Sequence, residues 1–237
     1  MNHDFILPDG LSLQRDENGL ALYSDDQVLR GDFVKMIPRL KHHNLTQELL
    51  VKAAKIKDAG HSLRAVDATA GLGDDSILLA AAGFDVQMYE RNPVIHALLA
   101  DAIERAKAIP ELAETVSRMH LHYSDSMEAM KQLHNAPELA PDVILLDPMF
   151  PARQKNALVK KKLQMIQKLE FPCVDEKELL LIAMEAAPKK LIVKRPPKGP
   201  HLADVKPDYT TEGKAVRFDC FVNPKDRIEK FRIALQS

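Results

Sequence analysis

At 237 residues, 46% apolar and 28% charged, the chain has material for one sizeable α/β domain with an ordinary core, and little beyond it. A net charge of −1 excludes a global field that draws the protein to nucleic acid, so any such partner must be met by local patches. Two cysteines, Cys173 and Cys220, are too few for a disulfide framework or a metal cluster; they read as reduced thiols, and no metal is expected.

Met1-Asn2-His3-Asp4 lacks the basic and apolar regions of a secretory signal. The longest apolar run, Ile77 to Phe84, falls far short of the ~20 residues that span a bilayer, so a soluble, cytoplasmic protein is expected. Residues 1–40 show no regular period and read as a small N-terminal extension of short strands and turns, ahead of a main domain over 41–237. From Leu63 onward strands and helices alternate. Leu63–Ala68 reads as a buried strand, Thr69–Gly73 as a turn, and Asp74–Ala82 as a helix ended by Gly83. Asp85–Tyr89 is a second strand. Asn92-Pro93 opens a helix, with Asn as cap and Pro at its first position, and Pro110 stops it.

Met119–Tyr123 alternates as a third strand, and Ser126–Leu133 forms a short helix. Pro141–Leu146 is a fourth strand, whose run Val143-Ile144-Leu145-Leu146 suits burial on both faces. Asp175 caps a helix to Ala187, Lys190–Val193 is a fifth strand, and Asp208–Thr211 pairs with Val216–Val222 as a terminal hairpin. The rhythm predicts an α/β fold: a mostly parallel sheet covered on both faces and closed by a C-terminal antiparallel hairpin.

Between the first strand and its helix stands Asp67-Ala68-Thr69-Ala70-Gly71-Leu72-Gly73-Asp74-Asp75. Gly71 and Gly73 let the backbone turn tightly and approach a ligand. Glu90 ends the second strand about 20 residues on, where an acid accepts hydrogen bonds from ribose hydroxyls. A dinucleotide fingerprint would place a third glycine where Ser76 stands and leave the helix start open to pyrophosphate. Here Asp74 and Asp75 occupy that start, and a carboxylate ~5 Å from a phosphate charge is repelled by about 3 kcal/mol at an effective dielectric of ~20. S-adenosylmethionine has no phosphate and carries two cationic groups, so it suits this acidic turn. The alternative is that the two acids only cap the helix and complement its dipole. Asp125-Ser126, after the third strand, adds a polar pair at the same sheet edge.

Asp147-Pro148-Met149-Phe150 follows the fourth strand, where ligands of open α/β sheets bind. A conjugated amine attacks poorly because its lone pair is delocalised. Asp147 and the Pro148 carbonyl can accept hydrogen bonds from such an amine and orient its lone pair, while Phe150 can stack on the base. Asp147, Pro148 and Phe150 are therefore the candidate catalytic residues. Arg153, Lys155, Lys160, Lys161 and Lys162 come next, and Lys194 and Arg195 follow the fifth strand; these are candidate contacts for RNA phosphates. Lys35, Arg39, Lys41, His42 and His43 form a further basic group.

The chain resembles the bacterial small-subunit (16S) ribosomal RNA guanine-N2 methyltransferases of the RsmJ type. The likeness rests on Val66-Asp67-Ala68-Thr69-Ala70-Gly71-Leu72-Gly73, on Glu90-Arg91-Asn92-Pro93, and on Leu146-Asp147-Pro148-Met149-Phe150-Pro151 leading into Lys155-Asn156-Ala157-Leu158-Val159-Lys160-Lys161. Val193-Lys194-Arg195-Pro196 and Arg217-Phe218-Asp219 complete it. The resemblance implies a Rossmann-like class I fold, S-adenosylmethionine as donor, and methylation of a guanine N2 in small-subunit rRNA, free or in an assembling 30S subunit. It also implies donor contacts at Asp74, Asp75, Glu90, Arg91, Asp125, Ser126 and Asp147, which join Asp67, Gly71 and Gly73 of the turn. Competing readings are an amino-methyltransferase of DNA adenine N6 or protein glutamine, and a non-catalytic RNA-binding module of the same fold.

Overall fold

The computed structural model describes residues 7–24, 27–57, 60–148, 165, 169, 175–229, 231 and 232. Its centre is a seven-stranded sheet built from β4 (Arg64–Asp67), β5 (Asp85–Glu90), β6 (Met119–Tyr123), β7 (Val143–Leu146), β8 (Lys190–Arg195), β9 (Tyr209–Glu212) and β10 (Arg217–Val222). The order is β6-β5-β4-β7-β8-β10-β9. Strands β4 to β8 run parallel, and β10 turns back antiparallel to both β8 and β9. The expected parallel sheet and closing hairpin are both present.

Period-two alternation sorts the core. In β7, Val143 and Leu145 face one apolar cluster and Ile144 and Leu146 the other, and all four are buried. The first cluster packs under α3 (Leu49–Ala54), α4 (Asp74–Ala81), α5 (Pro93–Lys107) and α6 (Pro110–Val116). The second packs under α7 (Ser126–His134) and α8 (Glu176–Glu185). Two further single-turn helices, α1 (Ile37–Leu40) and α2 (His42–Leu45), precede α3. No helix among the described residues is long and apolar enough to cross a membrane.

Local sequence accounts for most boundaries. The Asn92 side chain accepts from the backbone N–H groups of Val94 and Ile95, and Pro93 takes the first position of α5. Asp175 caps α8 in the same way through Lys177 and Glu178. Pro110 does more than stop a helix: it takes the first position of α6, a helix missing from the sequence reading.

The N-terminal segment forms its own three-stranded antiparallel sheet, β1 (Ser12–Asp16), β2 (Gly19–Ser24) and β3 (Gln27–Leu29). Leu22 and Leu29 pack on Val94, Ile95 and Leu98 of α5. Asp101 of α5 latches the sheet: it accepts from the Leu20 N–H (3.0 Å) and pairs with Arg15 (2.7 Å) and Arg105 (2.7 Å). Burial opposes the charge on Asp101, but these donors outweigh it and hold the carboxyl below its ordinary range.

The strand order reverses between β4 and β7, so the residues that follow these two neighbours flank one crevice. Gly73 fixes how α4 leaves that crevice. Its φ is +81°, and an added Cβ would lie 2.8 Å from Leu99 Cδ1 and 3.0 Å from Phe33 Cζ, both side chains buried. Gly73→Ala is expected to cost about 2–4 kcal/mol of stability from left-handed strain plus overpacking. Urea unfolding reads this as a lowered midpoint, and a midpoint equal to the parent's would refute the packing argument.

Candidate active site at the strand switch

β4 delivers Asp67 into the protein rather than into the crevice. Its Oδ1 accepts from the Thr69 N–H (3.1 Å) and its Oδ2 from the Ser76 hydroxyl (2.5 Å), so the acid ties the turn to the first turn of α4. Burial lifts its pKa to about 7; the two hydrogen bonds oppose the rise, and the negative charges of Asp75 and Asp147 add to it.

Past the ends of β4 and β7 the two segments stay bonded. The Ala68 N–H donates to the Leu145 carbonyl (3.0 Å), and the Asp147 N–H donates to Thr69 Oγ1 (2.7 Å). The Thr69 hydroxyl therefore joins the glycine turn to the start of the Asp147-Pro148 segment. Nothing in the sequence distinguished Thr69, because its partner lies 78 positions away.

Gly71, at φ +54°, donates its N–H to Glu90 Oε2 (3.2 Å), and Glu90 Oε1 accepts from the Asn92 N–H (2.7 Å). The acid at the end of β5 thus braces the turn, with the Arg91 backbone N–H acting on it as well. Burial raises its pKa against these hydrogen bonds. Among the described residues a Cβ built on Gly71 meets nothing nearer than the Thr69 carbonyl at 3.9 Å, an ordinary contact distance.

Asp74 and Asp75 do not cap α4. Gly73 holds the cap position, with no side-chain bond. Asp74 instead lies 3.4 Å from Lys35, and Asp75 is paired with Lys194. Lys194 also reaches Asp147 Oδ2 at 3.0 Å. Burial works against the charge on Lys194, yet the two acids outweigh it and push the pKa above the ordinary lysine value. The Asp147 side chain is 42% exposed, and the partial loss of water around it raises its pKa; Lys194 opposes the rise, Asp75 adds to it, and Arg195 opposes it again. Its Oδ1 has no partner among the described residues. Pro148 is buried behind it.

At the outer edge, Arg91 lies 3.7 Å from Asp125, which caps α7 through the Met127 N–H (2.8 Å); Ser126 begins that helix. The structure thus brings Asp67, Gly71, Gly73, Asp75 and Asp147 to the switch, with Asp74 and Glu90 adjoining and Arg91, Asp125 and Ser126 one strand further out. Phe150, Arg153, Lys155, Lys160, Lys161, Lys162 and Cys173 lie outside the described residues. Lys194 and Arg195, grouped by sequence with the phosphate contacts, stand elsewhere: Lys194 between two acids, and Arg195 buried at 2% exposure with its Nε on the Pro200 carbonyl (2.8 Å).

A clasp unassigned by the sequence reading secures the loop after β8. Arg217 donates to the carbonyls of Pro196 (3.0 Å), Pro197 (2.9 Å) and Gly199 (2.8 Å) and pairs with Asp219 (2.9 Å). Asp219 also holds His201 Nδ1 (2.7 Å) and the Thr210 hydroxyl (3.1 Å). The Arg217-Phe218-Asp219 spacing, two residues along one strand, was the available signal.

An acid-lined turn beside an Asp147 oxygen that no described residue engages suits a cationic, phosphate-free ligand next to a hydrogen-bond donor. The described residues contain no cluster that could hold a metal ion.

Residues 8–223 match the family model described as "Putative SAM-dependent methyltransferase". The chain is 41% identical to a protein of Marinobacter nauticus named ribosomal RNA small subunit methyltransferase J, covering 90% of this chain and 77% of that one. A protein of the same name from Thioalkalivibrio sulfidiphilus is 44% identical, over 86% and 80%. Among solved structures, a SAM-dependent methyltransferase from Neisseria gonorrhoeae superimposes with a TM-score of 0.72 at 32% identity, covering 91% of this chain and 84% of that one. The rRNA methyltransferase AviRa of Streptomyces viridochromogenes shares the fold, with a TM-score of 0.52 at 14% identity over 79% and 86%.

Asp67 sets an expected pH dependence of stability. Its folded pKa of about 7 lies above the unfolded value of 3.8, so the folded chain keeps a proton that the unfolded chain has lost. That stabilisation is complete below the unfolded pKa and disappears as pH rises through about 7. Asp67→Asn cannot ionise, so its stability relative to the parent should climb across this window. Urea midpoints taken as a pH series test it; a constant difference refutes it.

Proposed function

The chain belongs to the ribosomal RNA small subunit methyltransferase J family of SAM-dependent methyltransferases, and on that premise we propose that it methylates the exocyclic N2 amino group of a guanosine in small-subunit rRNA. S-adenosylmethionine is the donor. The observation that carries the reading is the Oδ1 of Asp147, which no described residue engages, beside an acid-lined glycine turn.

The residues at the switch fit the donor. No described side chain crowds Gly71, and Asp74, Asp75 and Glu90 supply negative charge that Lys35 and Lys194 offset only in part. Gly71, Gly73 and Glu90 would hold it from the turn, and Asp125 and Ser126 from the strand next to β5. When bound, it supplies an electrophilic methyl group on a sulfonium, whose departure as a neutral sulfide requires no acid.

The protein's work is then positioning. Asp147 Oδ1 accepts a hydrogen bond from the amine and turns its lone pair out of conjugation with the ring. The Pro148 carbonyl adds a second acceptor, and Phe150 gives the base a stacking surface. The amine must shed a proton after transfer. A carboxyl whose pKa is raised by burial is suited to take it at Oδ1 and pass it to water. To reach Asp147 the guanine must leave its stack.

RNA is held by local charge, because the whole chain carries a net charge of only −1. Arg153, Lys155 and Lys160 to Lys162 follow the catalytic segment directly in sequence, where a polymer would enter. We take naked rRNA or the assembling 30S subunit as the partner and the cytoplasm as the location.

Asp147→Ala is expected to lower turnover about 10²–10⁴-fold while leaving RNA affinity nearly unchanged. Mass mapping of rRNA nucleosides from cells lacking the protein should show one N2-methylguanosine missing. A missing methyladenine, or label appearing only in DNA or protein, would overturn the substrate. Neutralising Lys160, Lys161 and Lys162 together should weaken RNA binding and reduce the slope of log affinity against log salt by about 2–3; an unchanged slope would make the cluster a solvated face.

A further inference from the structure

We propose that Lys194 is a positioning residue for the transfer reaction, occupying one oxygen of Asp147 and cancelling the repulsion between Asp147 and Asp75. The inference rests on the reading of Asp147 as the acceptor of the amine hydrogen bond, and it deepens that reading.

The geometry is specific. Lys194 leaves the C-terminal part of β8, the strand beside β7, and its ammonium stands between Asp75 of α4 and Asp147 Oδ2. Its side chain is 27% exposed, and both of its partners are carboxylates. An ammonium committed in this way has little left to offer an RNA phosphate. Its pairing with Oδ2 leaves Oδ1 as the oxygen available to the amine, so one contact sets both the charge and the orientation of the acid.

The charges facing Asp147 among the described residues are Asp67 from β4, Asp75 from α4, and Lys194 and Arg195 from β8; the Thr69 hydroxyl receives its backbone N–H. Arg195 places its Nε on the Pro200 carbonyl and adds its positive charge to the field at Asp147, while Lys194 stands 3.0 Å from Asp147 Oδ2. Without it, Asp147 would face Asp67 and Asp75 with its neutralising contact gone, and its pKa would rise further. A protonated carboxyl still accepts through its carbonyl oxygen, but more weakly. It also cannot receive the proton that the amine must release.

Asp147 is read in two ways, by carboxyl carbon NMR of the aspartate-labelled free protein, assigned with Asp147→Asn, and by the acid limb of kcat/KM on small subunits from cells lacking the protein. Lys194→Met should raise both the titration and the acid limb by about one to two pH units. Lys194→Arg should restore the titration close to the parent's value. Asp75→Asn, which removes the repulsive neighbour and leaves the lysine, should shift the Asp147 titration downward in the free protein. That sign reversal keeps the idea testable should the methionine variant not fold. An Asp147 titration that moves in neither Lys194→Met nor Asp75→Asn overturns the proposal. So does an arginine variant that behaves like the methionine one. Failure of the parent protein to methylate any RNA would instead sink the functional reading, and the NMR arm would still report on Lys194.

Discussion

Carboxylate crowding at the reversal of strand order governs this molecule. Three acids, Asp67, Asp75 and Asp147, act on one another where β4, α4 and β7 converge, with Asp74 beside them. In a partly desolvated crevice, like charges at such spacing cannot all stay ionised and unpaired. The fold relieves each differently. Asp67 goes inside and shares its burden with Ser76 and the Thr69 amide; Asp75 and Asp147 divide one lysine; Asp74 remains half exposed near Lys35. Among the described residues, what remains is an acid-rich rim with one oxygen of Asp147 that none of them engages. The proposed fits to a cationic donor and to an amine acceptor both descend from that residue of charge.

Much of the scaffold could be read from the sequence because it is encoded locally. The Val143-Ile144-Leu145-Leu146 run, the Asn92-Pro93 cap and the Met119–Tyr123 alternation each carry their own instruction, and the structure honours them. The glycine turn and Asp147 were legible for the same reason. α6 was missed because proline was taken only as a terminator, although it serves equally well as a first helical residue. The strands of the N-terminal sheet are short, and their pattern is confirmed only by the face of α5 that they cover.

The role of Lys194 could not have been found this way. In sequence it belongs to a run of basic residues that reads as a phosphate-binding stripe. Its partner Asp75 is 119 positions away, and the sheet order β4-β7-β8 brings the two together. The same holds for Thr69 and Asp147. Charge type is legible from residues one at a time, whereas charge pairing is a property of the sheet order.

The Asp101 latch bears on where this protein can be cut. The small sheet could be trimmed from a chain diagram as an ornament preceding the catalytic fold. Yet Asp101 is nearly sealed from water, and the sheet supplies two of its donors, the Leu20 amide and Arg15. A fragment starting near residue 41 would strip those donors from a desolvated anion and bare the greasy flank of α5 formed by Val94, Ile95 and Leu98. The segment outside the sevenfold sheet is therefore a structural lid on the longest helix, and a minimal catalytic unit has to include it.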